Sequence, residues 1–123
     1  MESRRLAKIK KCFRSGAYAC LDNGDIISFK RKKPKKLTSK PHKSGYLYYS
    51  FFLDSEEIQI MGHQAVYIFY NMKCRKILKK EVNHKNFNKH DNRLYNLELL
   101  TAKENTQHYH NYKKSGYLLC DYY

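Results

Sequence analysis

The chain has 123 residues, enough for one domain that folds without disulfide staples. Lys and Arg number 25 against 11 Asp and Glu, giving a net charge of +14 and a pI near 9.7, which argues for a polyanionic partner. No apolar run approaches the ~20 residues of a membrane span, and no basic amphipathic helix with an apolar face stands out, so nucleic acid is favoured over a membrane surface.

Residues 1–14 are basic with a sparse apolar pattern (Leu6, Ile9, Phe13) and read as a short helix or a loose arm. Two apolar runs then flank Asp22-Asn23-Gly24-Asp25, and Asn-Gly is a strong hairpin signal, so strands are expected near 17–21 and 26–30. Residues 30–43 carry eight Lys or Arg and both prolines. Proline disfavours regular pairing and like charges repel, which predicts a basic loop suited to phosphate contact. "GYLYYSFFL" (45–53) and "EIQIM" (57–61) read as paired strands around a turn at Asp54-Ser55-Glu56. In 63–71 the period changes. Val66 with Tyr70, and Ala65 with Ile68 and Phe69, form a helical stripe, with His63 at its start as a structural histidine.

Residues 72–80 are a basic connector, 81–84 a short strand, 85–96 a loop and 97–100 a second strand. Thr101 followed by Glu104 is a capping box that starts a helix running to about Tyr112. Cys12, Cys20, Cys74 and Cys120 lack Cys-x-x-Cys spacing, so neither a zinc ribbon nor a redox pair is signalled and reduced thiols are expected. With no signal peptide evident, a soluble intracellular protein is expected, in the cytoplasm or the nucleus of a host or virus-infected cell.

A strand–loop–strand–helix unit folds back on itself, so the helix can face the end of the first strand. Asn83 and His84 end that strand, Asn96 enters the next, and Asn105 lies in the first turns of the helix. Amide oxygens suit a hard cation such as Mg²⁺, and a neutral histidine can deprotonate water at physiological pH. One metal and one histidine are a sufficient minimum for phosphodiester hydrolysis.

"VNHKNFNKHDNRLYNLELLTAKEN" (82–105) resembles, without a gap, the HNH endonuclease motif of phage and intron-encoded homing endonucleases. The upstream strands and the helix opening with His63 resemble the N-terminal region of the same nucleases, so the resemblance covers about residues 16–110. It implies an α+β fold in which a small antiparallel sheet and helix (16–71) grip DNA ahead of a ββα-metal motif (81–112), all in one domain, 1–123. It implies a DNA endonuclease with His84 as general base, Asn96 as the brace of the loop, and Asn83 and Asn105 as ligands of Mg²⁺ or Mn²⁺. Lys30, Arg31, Lys32, Lys33, Lys35, Lys36, Lys85, Lys89 and Arg93 are the expected contacts to double-stranded DNA, with Arg93 alternatively pairing Glu98 or Glu104. His90, His108 and His110 are expected on the solvated surface. Products would carry 5′-phosphate and 3′-hydroxyl. One site per chain makes a nick, and a double-strand break needs a homodimer or two events. The segment 113–123 is short for a C-terminal recognition region, which puts long-site specificity in doubt. The competing expectation is a catalytically inactive HNH-like module that only binds DNA.

Three departures from the family pattern stand out. Asn83 occupies a position where many members have Asp. The turn Lys85-Asn86-Phe87-Asn88 lacks the usual glycine. Gln64 replaces the arginine that follows the helix-opening histidine.

Overall fold

The computed structural model describes residues 1–115. Cys120 and the remainder of 116–123 lie outside the described residues.

Leu6, Ile9, Cys12 and Phe13 recur on one face of α1 (Ser3–Arg14) and are buried, so the first segment is a docked helix and not a loose arm. It is a basic amphipathic helix after all, but its apolar side is committed to the core. Phe13 packs edge-on against Phe51 and Phe69, with ring centroids 5.6 and 5.1 Å apart. Its polar side is tied down too. Lys8 pairs with Glu56 at 2.6 Å, Lys11 with Asp54 at 2.8 Å, and the Arg5 guanidinium donates to the Gln59 carbonyl.

β1 (Tyr18–Cys20) and β2 (Ile26–Ser28) form the expected antiparallel hairpin, with Cys20 opposite Ile26 and Gly24 at φ +98° in the turn. The basic segment is not wholly loop. It contributes β3 (Lys35–Lys36), paired with β2, and β4 (Lys40–Pro41), paired with β5 (Leu47–Leu53). Both are edge strands, where lysines reach water and are screened, so backbone pairing outweighs their mutual repulsion. Pro41 costs little there, because an edge strand has one side without ladder bonds. β5 pairs with β6 (Glu56–Met61) from Tyr48↔Met61 to Leu53↔Glu56. Asp54 and Ser55 join them at φ 53° and 62°, the left-handed pair a two-residue hairpin loop requires.

α2 (Gly62–Tyr70) buries Ala65, Val66 and Ile68. It packs on α1, β1, β5 and β6, and also on β7 (Glu81–His84) and β8 (Leu97–Leu100), so it joins the N-terminal sheets to the C-terminal unit. β7 and β8 are antiparallel, with His84 opposite Leu97. The capping box forms as expected. Thr101 Oγ1 accepts from the Glu104 N–H at 3.0 Å and Glu104 Oε1 from the Thr101 N–H at 2.9 Å, opening α3 (Ala102–Ser115) against β7 and β8. The fold is α+β. Its core includes the fully buried Ile9, Cys12, Ile26, Phe51, Ile60, Val66 and Ile68. Phe51 alone removes a whole aromatic ring from water, worth about 3 kcal/mol. Cys12 and Cys20 are free thiols whose burial raises their pKa, which makes them core-packing groups. Among the described residues no helix is long and apolar enough to cross a membrane.

Candidate active site

β7 alternates. Val82 and His84 point inward, while Asn83 is half-buried on the other face beside its ladder partner Glu98. His84 is only 4 % exposed, and its Nε2 lies 2.7 Å from Oδ1 of the equally buried Asn92. Burial lowers the His84 pKa below its ordinary value, opposed by the Asn92 hydrogen bond. The ring is therefore not the unperturbed imidazole expected from sequence but a more firmly neutral one.

His63, at the start of α2, sits beside it with ring centroids 4.8 Å apart. Tyr46 stacks on both, at 4.7 Å from His63 and 5.8 Å from His84. Burial, and secondarily the neighbouring His84, pushes the His63 pKa down to about 3, and its Nδ1 is buried without a hydrogen-bond partner. Asn105 borders a cleft shared with Tyr46, His63, Glu81 and Val82, so the structure brings α3 alongside β7 as expected.

Asn83 Nδ2 donates to Glu98 Oε2 at 3.1 Å, which fixes the amide and leaves its oxygen as the end that Glu98 does not use. Asn96 bonds across the loop through both ends of its amide. Its Oδ1 accepts from the Asn86 N–H at 3.1 Å, while its Nδ2 donates to Asn86 Oδ1 and to the Asp91 carbonyl, both at 2.9 Å. Its own carbonyl accepts from the Lys85 N–H at 2.7 Å. The turn without glycine is built by Phe87 at φ 64°. Its ring stacks on Tyr112 at 3.8 Å and on His108 at 4.4 Å, so aromatic packing offsets the left-handed backbone. His108 is therefore half-buried in a stack, not solvated, whereas His90 and His110 are exposed.

The basic residues divide. Arg93 forms a bidentate pair with Asp91, Nε to Oδ1 and Nη2 to Oδ2 both at 2.7 Å, instead of reaching Glu98 or Glu104. Two residues apart in one turn, this pair forms with little chain reorganisation. The Arg93 bond, and then the Asn86 bond, hold the Asp91 carboxyl at about 2, against the opposing effect of burial. Arg93 also lies 4.7 Å from the Tyr95 ring centroid. Lys89 donates to the Ser44 carbonyl at 2.7 Å and covers the Tyr46 ring at 4.9 Å. Lys36 pairs with Asp25 at 3.3 Å, and Lys30 donates to the Phe52 carbonyl. Arg31, Lys32, Lys33, Lys35 and Lys85 are exposed.

Sequence reasoning did not single out Asn92, Glu98 or Tyr46 as partners of the site. Asn92 and Tyr46 are placed by contacts between distant segments, which leave no local signature. Glu98 was legible once strand pairing put it opposite Asn83.

Two paired strands, the loop between them and a capped helix packed on both define a ββα motif. Residues 78–107 match the HNH endonuclease family. The solved structure "DNA binding and cleavage by the HNH homing endonuclease I-HmuI" is similar at 27 % identity and a TM-score of 0.67, over 82 % of this chain and 54 % of that one. This chain thus spans about half the length of that protein. No curated protein matches the sequence. Residues 78–107 thus carry a motif similar to that of HNH endonucleases, within a fold similar to that of an HNH homing endonuclease.

Proposed function

We propose that the protein is a DNA endonuclease that hydrolyses phosphodiester bonds of double-stranded DNA with His84 as the general base. The observation that carries this reading is His84 itself, a buried neutral imidazole fixed at the end of β7 beside Asn83, inside the segment that matches the family. The water oxygen bonds to phosphorus as one of its protons passes to His84, the P–O3′ bond breaks, and the departing 3′ oxygen takes a proton from solvent, leaving 5′-phosphate and 3′-hydroxyl ends.

HNH endonucleases generally use a divalent metal ion, and the amide oxygens of Asn83 and Asn105 are hard donors of the kind such an ion takes. Asn83 offers an amide oxygen oriented by Glu98, whose carboxylate puts negative charge next to it, and Asn105 offers a second amide oxygen from α3. Asn83 and Asn105 would hold Mg²⁺ or Mn²⁺, and the ion, when bound, supplies charge neutralisation at the phosphate and the leaving oxygen. Asn96 keeps the loop in register. Arg31, Lys32, Lys33, Lys35 and Lys85 carry the backbone contacts most directly, while Lys30, Lys36, Lys89 and Arg93 keep a structural partner as well. One site gives a nick, and a homodimer would give both strands. The setting is intracellular.

The deciding measurement is supercoiled-plasmid cleavage with Mg²⁺ or Mn²⁺, comparing wild type with His84→Ala. Nicked or linear product from the wild type alone is expected, and equal cleavage by both sinks the assignment. The near-complete burial of His84 favours one second reading, a DNA-binding module without catalysis. It predicts salt-sensitive binding and no cleavage at any metal concentration.

A further inference from the structure

We infer that Asn92 is a positioning residue that holds His84 in the tautomer protonated on Nε2, leaving Nδ1 as the nitrogen that takes a proton. The inference rests on His84 being the base for its catalytic meaning, but not for its geometry. An amide oxygen only accepts hydrogen bonds, so the 2.7 Å contact between Asn92 Oδ1 and His84 Nε2 requires the proton on Nε2. A neutral imidazole carries one such proton, and its lone pair is then on Nδ1.

Asn92 is closely confined from two sides. A Cβ on Gly62, at the start of α2, would stand 2.6 Å from Asn92 Nδ2, so the glycine is what makes room for the amide. A Cβ on Gly24, in the β1–β2 turn, would stand 3.1 Å from the Asn92 backbone carbonyl group. Two residues on, the Leu94 N–H donates to the Asp22 carbonyl of the same turn at 2.8 Å. The hairpin presses the loop from one side and the first turn of α2 confines the amide from the other. Both belong to the N-terminal part that sequence reading assigned to DNA gripping. That part is thus also the outer support of His84, which explains why Asn92 is 5 % exposed in an otherwise polar, open loop.

The test is long-range ¹H–¹⁵N correlation NMR of the full chain labelled at histidine, with His84 assigned from His84→Gln. Wild type is expected to show protonated Nε2 and bare Nδ1. Asn92→Asp keeps the acceptor and is expected to keep the tautomer, whereas Asn92→Ala is expected to lose it. In single-turnover cleavage Asn92→Ala should lower the rate about 10- to 100-fold, the range for outer-shell partners. Its DNA affinity should stay unchanged, and Asn92→Asp should restore much of the rate. A wild-type ring protonated on Nδ1, or an unchanged tautomer in Asn92→Ala, overturns the inference. The wild-type spectrum needs no variant, so the question is decided even where Asn92→Ala does not fold. Cleavage by His84→Ala equal to wild type would overturn the nuclease reading while leaving the tautomer result standing.

Discussion

The His63 and His84 rings meet at a tilt of 49°, centroids 4.8 Å apart, with the Tyr46 ring stacked on both. Two imidazoles this close and this buried cannot both take a proton cheaply. The folded protein keeps His63 neutral down to about 3, while the unfolded chain titrates near 6.5. Above that upper value both states are neutral and pH does nothing. Below it the unfolded chain binds a proton that the folded one refuses, so stability falls until the folded pKa is reached. The urea midpoint should drop steadily between about pH 7 and about pH 4.5, a window above the ordinary aspartate range. His63→Phe should flatten part of the slope, the rest belonging to His84. Identical slopes in the two proteins would show that His63 is not held neutral.

Phe87 tests how a turn survives without its glycine. Its left-handed φ costs roughly 1–2 kcal/mol for a residue with a Cβ, against which stand the stacks on His108 and Tyr112. Phe87→Gly removes both the strain and the stack, whereas Phe87→Ala loses the stack and keeps the strain. Both should be less stable than wild type, with Phe87→Ala the worse by about 1 kcal/mol. Denaturant unfolding reads the order directly, and an alanine variant at least as stable as the glycine variant would contradict it.

The two halves of this turn show what was and was not legible in the sequence. Hairpins at Asn23-Gly24 and Asp54-Ser55, the stripe of α2 and the Thr101–Glu104 cap are local patterns, and each formed within a residue or two of its expected place. His84 at the end of β7 and Asn96 at the entry to β8 likewise lie where the motif spacing puts them. What stayed hidden is set by contacts between distant segments. Asn92 owes its role to Gly24 and Gly62, and Tyr46 to two histidines far along the chain. Lys35–Lys36 and Lys40–Pro41 pair as strands because β2 and β5 offer them open edges, something their own composition argues against.

Asn83 and Glu98 make a prediction about metal. Replacing Asn83 by Asp substitutes an oxygen for the Nδ2 that now donates to Glu98 at 3.1 Å, so two carboxylates face each other. Without divalent ion this variant should melt below wild type. With Mg²⁺ or Mn²⁺ it should gain more than wild type, because a second charge next to the donor oxygen tightens binding and ligand binding to the folded state raises stability. Thermal melts in EDTA and across a metal titration separate the two effects. Equal metal-induced shifts in both proteins would remove Asn83 from the ligand set.

The basic residues should not count equally in DNA binding. Among the described residues Arg31, Lys32 and Lys33 are exposed and have no intramolecular polar partner, whereas Lys30, Lys36, Lys89 and Arg93 each have one. A cation already neutralised or held within the fold gains less from a phosphate and displaces fewer counterions. Each phosphate neutralised on duplex DNA contributes about 0.9 to the slope of log affinity against log salt. Replacing Arg31, Lys32 and Lys33 together by Ala should therefore reduce that slope by up to about 2.7, while Lys30→Ala with Lys36→Ala should reduce it by less per residue. Fluorescence anisotropy on a duplex over a series of salt concentrations measures both. A slope untouched by the triple substitution would move the DNA interface away from the 30–36 loop and towards the exposed Lys85 beside the motif.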